Sequence, residues 1–194
     1  MEAVIENQFF RSACQALIKE DQELRDLFLD NEPLYDKQHN GICCLYETTM
    51  VYLTFKELLK NKFPLSVSWE HPYPGMPSLK ADLGLLKDDQ TIDSLVEFKI
   101  WTSEDGYEIR KDVEKYNRLN FDCRKYIFVV EYAGGDIVDN KNYLLVQNPE
   151  VEIVNMEQTS TFFCDWQTKQ REYKSIFMYL LRMKDGVTIG KAVL

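Results

Sequence analysis

The chain has 194 residues, 45% of them hydrophobic and 28% charged, the size and balance of a single globular domain with no need of a second. Its net charge of -9 and pI near 4.8 count against a broad electropositive surface for nucleic acid, and leave that role to bound metal ions or a local basic patch. No run of about 18 apolar residues occurs, and a start carrying Glu2, Glu6 and Arg11 is neither basic nor unbroken in its apolar stretch, so a membrane span and a signal peptide are excluded and a cytoplasmic protein is expected.

From Ala3 to about Phe28, apolar residues recur at helical spacing (Ile5, Phe9, Phe10, Ala13, Leu17), which predicts one or two helices. A turn-rich stretch from Asn31 to Asn40 precedes a second helix over Ile42 to Lys60. Leu65, Val67 and Trp69 alternate with serines as a half-buried strand does, and His71 to Pro77, with three prolines and a glycine, is expected to be irregular. Leu79 to Leu86 and Ile92 to Trp101 alternate on either side of Lys87-Asp88-Asp89-Gln90, the pattern of a hairpin. A polar helix from Tyr107 to Leu119 and a strand from Lys125 to Tyr132, closed by Gly134-Gly135, come next. Tyr143 to Val146, Thr161 to Trp166 and Tyr173 to Met183 read equally as strands or as pieces of helix. The order of elements predicts an α/β fold, a mixed central sheet flanked by helices. The five cysteines (Cys14, Cys43, Cys44, Cys123, Cys164) show no zinc-ligand spacing and are expected to be reduced, buried thiols.

The hairpin carries the chemistry. A symmetric register about the Asp89-Gln90 step sets Asp82 opposite Glu97, with Cβ atoms about 5 Å apart. Alternation then places Lys99 beside Glu97 on one face, and Val96, Phe98 and Ile100 with Ala81, Leu83 and Leu85 on the other. Facing acids repel unless a cation sits between them, and carboxylate oxygens with water suit magnesium or manganese. An ammonium group beside such a cation can orient or help deprotonate an attacking water and stabilise charge on a phosphate. The Phe98 carbonyl, between the two side chains, offers a further oxygen.

Asp82 followed by Glu97-Phe98-Lys99 on the next strand resembles the D...ExK signature of the PD-(D/E)XK nuclease superfamily, the restriction-endonuclease-like fold. The resemblance runs from Ile42 to Tyr132, with Ala81 standing where the family's proline precedes the aspartate. It implies a magnesium- or manganese-dependent phosphodiesterase, with Asp82, Glu97 and the Phe98 carbonyl as metal ligands and Lys99 assisting the attacking water. It also implies a further acid on the upstream helix. Glu47 is the match, a further catalytic acid and metal ligand by this resemblance, placed on an apolar stripe with Cys43, Cys44, Met50 and Val51 and so in need of a partner. On the following helix Lys111, Lys115 and Arg118 share one face, a basic stripe that the resemblance assigns to phosphate contacts. The same stripe also reads as a solvated face paired with Glu108, Asp112 and Glu114. DNA is the expected partner, in repair, restriction or defence, and a homodimer follows from the family's habit of cutting both strands. Glu70 is a weaker candidate acid and His71 a weaker candidate base. Two rivals stand beside this reading: a nuclease-fold binding protein without turnover, and an unrelated interaction or immunity-type protein in which the motif is accidental.

Overall fold

The computed structural model describes residues 2–30, 41–101, 107–119, 121–131, 137–164 and 171–184. The turn-rich Asn31–Asn40, Tyr132, Gly134-Gly135 and the end of the Thr161–Trp166 segment lie outside these residues. Helix α1 (Glu2–Asp30) is one continuous element, and a 3-10 turn (Gly41–Cys44) leads to α2 (Glu47–Lys60). Strands β1 (Ser66–Tyr73), β2 (Met76–Leu86) and β3 (Ile92–Trp101) follow, then α3 (Tyr107–Arg118), β4 (Arg124–Glu131), α4 (Ile137–Gln147), β5 (Val151–Cys164) and β6 (Arg171–Met183). The six strands form one sheet in the order β1-β2-β3-β4-β6-β5, parallel only between β3 and β4. The fold is thus α/β with a mixed sheet flanked by helices, as expected.

Alternation along the strands divides the apolar side chains between two layers. Leu83, Leu85, Val96, Phe98, Phe128 and Met178 pack under α1 and α2. Leu95, Ile127, Val129 and Tyr179 pack under Ile109, Val113 and Tyr116 of α3 and Leu144 of α4. Ala81 departs from the expected alternation and belongs to the second layer. The β2–β3 ladder stops at Leu83 and Val96, and Glu70, in β1 beside this point, has φ 48, so the chain is no longer held to a flat pleat there.

Beyond that point β1 and β2 continue together as a two-stranded arm. His71 and Pro72, expected to be irregular, are paired with Ala81 and Lys80, and Pro74-Gly75 makes the turn with Gly75 at φ 75. Pro72 is tolerated because β1 is an edge strand, where a missing N–H costs the sheet nothing. The β2–β3 turn has Gln90 at φ 65 and a register shift at Leu86, which leaves the predicted pairing of Leu83 with Val96 intact.

The approach to α2 is held by one buried carboxylate. Asp21 accepts from Ile42 N at 3.0 Å, from Phe162 N at 3.3 Å and from the Thr161 hydroxyl. Gly41 must be glycine here: its φ is 49, and a Cβ would lie 2.0 Å from Asp21 Oδ1. Asp21→Ala strands buried donors and is expected to cost about 2–3 kcal/mol, seen as a lower urea midpoint at unchanged slope. An unchanged midpoint would show that the clamp contributes nothing.

Candidate active site

The site lies where β2 parts from β3. In a ladder, the N–H groups of alternate β3 residues would find carbonyls on β2; past Val96 they find none. Two acids take their place. Phe98 N donates to Asp82 Oδ2 at 2.7 Å, and Ile100 N donates to Glu47 Oε1 at 3.2 Å. The N–H and C=O of one strand residue point to the same edge, so the Phe98 carbonyl opens onto this fork as well.

Glu47 differs from its predicted setting. It is the first residue of α2, so Cys43 and Cys44 belong to the preceding turn and not to its helical stripe. Its side chain is 38% exposed, and its partner is Lys99, with Nζ 2.9 Å from Glu47 Oε2. Lys99 is 13% exposed and also lies 3.4 Å from Asp112 Oδ2 on α3. Burial works against its ammonium, but Asp112, Glu47 and Asp82 outweigh that effect and hold its pKa above the ordinary lysine value.

Asp82 and Glu97 each lie one step beyond the last paired residues, Leu83 and Val96, close enough for the Asp82 charge to bear on Glu97. Glu97 is 3% exposed. Its Oε1 accepts from the Tyr73 hydroxyl on the arm and from Lys115 Nζ at 3.2 Å. Burial first, then the charges of Asp112 and Asp82, push its carboxyl up to about 7, against the pull of Tyr73 and Lys115. Burial also raises Asp82, with Glu47 adding to it, while Phe98 N–H and Lys99 oppose. Burial and then Glu97 hold the Tyr73 phenol far above its usual range, so it stays a donor.

Two participants were not named as site residues from the sequence, which gave Asp112 only as part of the helix carrying the basic stripe and as a partner of its lysines. Asp112 is 1% exposed and binds Lys115 at 2.5 Å as well as Lys99, while its Oδ2 makes no hydrogen bond among the described residues. The signal was present: Ile109, Asp112, Val113 and Tyr116 fall on one helical stripe, which puts an aspartate on a buried face. Tyr73, between two prolines in a stretch read as irregular, gave no such signal.

No protein-family model, curated protein or solved structure matches this chain.

The remaining candidates are dispersed. Lys115 turns into the site, whereas Lys111 and Arg118 are exposed on α3, so the three do not act as one outward stripe. Glu70 is exposed and paired with Lys80 at 2.7 Å. His71 packs over Gly84, where a Cβ would come within 2.5 Å of its ring. Among the described residues no three His, Cys, Asp or Glu groups gather closely enough to enclose a metal ion. Two carboxyls and a carbonyl at an open edge nevertheless fit magnesium, which keeps several waters and asks for only one or two carboxylates.

Proposed function

We propose that this chain is a divalent-cation-dependent nuclease of the restriction-endonuclease-like kind, hydrolysing phosphodiester bonds in DNA. The observation that carries the reading is the Asp82 and Glu97 carboxyl pair where β2 parts from β3, with the Lys99 ammonium beside Glu47. Asp82, Glu97 and the Phe98 carbonyl would hold magnesium or manganese. Bound there, the cation would polarise a phosphate oxygen and offset charge in an in-line attack by water. Glu97 is fixed by Tyr73 and Lys115, and Asp82 by Phe98 N, which leaves one oxygen of each for the ion in this reading. Lys99 is held charged, so its part is to orient water and offset developing charge on phosphate, not to accept a proton. Glu47 and Asp112 position that ammonium. Lys111 and Arg118, exposed on α3, would meet phosphates, and a homodimer would bring two such sites to two strands. The free thiols of Cys14 and Cys123 suit a reducing cytoplasm.

The test is incubation of the folded protein with plasmid, linear and single-stranded DNA and with RNA, in manganese or in EDTA. Cleavage in manganese alone is the expected result; no cleavage of any substrate would overturn the reading. A binding protein that kept the fold without turnover is the second reading, favoured by the absence of a third converging His, Cys, Asp or Glu side chain among the described residues. Manganese is expected to raise the melting temperature of the wild type and not that of Asp82→Ala. Equal shifts in both would place the ion elsewhere.

A further inference from the structure

The outer face of α2 and the neighbouring edge strand carry exposed rings that the core does not use. Tyr52 and Trp69 are 45% and 40% exposed, with ring centroids 5.6 Å apart, and Phe55 backs Trp69 at 5.8 Å. Lys56 Nζ stands 5.2 Å from the centre of the Tyr52 ring, and Lys60 follows one turn later on the same exposed face. Tyr46, 81% exposed, sits immediately before Glu47 at the start of the helix. In a chain of net charge -9, the exposed side of α2 beyond Glu47 carries two lysines and no acid, because Glu57, its other carboxylate, is buried against Lys19. The acid next to Trp69, Glu70, is paired with Lys80.

The position of this surface matters as much as its chemistry. Trp69 pairs with Leu83, the residue after Asp82, and α2 begins at Glu47 in the fork. Rings and cations therefore lie along α2 and the edge strand beside it, next to the candidate site. From this we infer that the Tyr46, Tyr52 and Trp69 rings with Lys56 and Lys60 form a track for single-stranded nucleic acid, leading a strand into the fork between β2 and β3. Flat rings accept any base by stacking, and lysines spaced along the track meet the phosphates, the combination single strands favour. A duplex has its bases stacked away and gains only the charge contacts. The inference deepens the nuclease reading by naming its substrate form, and rests on that reading only for the destination of the strand.

Binding is measured in EDTA by fluorescence anisotropy, using a labelled oligothymidylate of about 20 nucleotides and a duplex of equal length. The single strand is expected to bind more tightly, and Tyr52→Ala or Trp69→Ala to weaken it roughly tenfold. Lys56→Ala with Lys60→Ala is expected to lower the salt dependence by roughly one to two released counterions. Tyr52, Lys56 and Lys60 are surface positions, so these variants keep the fold even if Trp69→Ala does not. Equal or tighter duplex binding, or unchanged affinity in Tyr52→Ala, overturns the track. So does concentration-dependent dimerisation that Tyr52→Ala abolishes, which would make the patch a contact between copies. Cleavage of single strands with unchanged affinity in Tyr52→Ala removes the track and spares the nuclease. Ring-dependent binding without cleavage in manganese does the reverse.

Discussion

Lys99→Ala is expected to lower DNA cleavage by at least roughly 100- to 1,000-fold, the range found when a preorganised donor to developing negative charge is removed. The fold should survive this change. Asp112 keeps Lys115 at 2.5 Å, and Glu47 keeps the Ile100 N–H and its access to water, so neither acid is left as an isolated buried charge. The manganese-induced rise in melting temperature should also persist, because the ion's ligands are Asp82, Glu97 and a carbonyl, none of which needs Lys99 to hold its place. Loss of turnover with retained metal response would separate a role in the reaction from a role in assembly. Cleavage within a few-fold of wild type would reject the assignment of Lys99, and loss of both properties would show it to be structural.

Legibility in the sequence followed the range of the interactions. The β2–β3 hairpin was readable because four turn residues and alternation fix its register locally, as far as Leu83 and Val96. Helix α3 was readable from its periodicity. The arm was misread because proline signals irregularity except at an edge, and the sequence of β1 does not reveal that no strand among the described residues lies outside it. The start of α2 was placed too early for a similar reason: the turn before it is held by Asp21 and Thr161, residues far away along the chain. Strand β5 is polar along much of its length, with Asn155, Glu157, Gln158 and Ser160, since an edge strand needs little apolar surface, so its alternation is faint. The candidate site was legible as a motif and not as a network. That Glu47 and Asp82 stand in for missing ladder carbonyls depends on where two strands part, a property of the assembled sheet.

Glu97→Gln is expected to make the metal-free protein more stable while abolishing metal-dependent cleavage. In the folded chain the Glu97 carboxyl is pushed from its ordinary 4.5 up to about 7, chiefly by burial. A carboxyl raised on folding destabilises the native state once it must ionise. The penalty is absent below the unfolded value and grows as pH climbs from about 4.5 through about 7, to a ceiling on the order of 3 kcal/mol. Glutamine keeps an oxygen for Tyr73 and Lys115 and turns an amide donor toward Asp82, so the repulsion between the two acids becomes a hydrogen bond. At about pH 8 in EDTA the variant should therefore melt several degrees above the wild type, at roughly 2–4 °C per kcal/mol for a domain of this size. At about pH 5 the two should converge, since the wild-type carboxyl then carries its proton. Adding manganese should reverse the order, because only the wild type offers two carboxylates to the ion. Thermal melts of both proteins across this pH range, with and without the metal, decide the matter. A wild type whose metal-free stability is flat in pH, or a glutamine variant that is less stable at about pH 8, would mean that these two acids are not held in opposition and that the fork is not built to receive a cation.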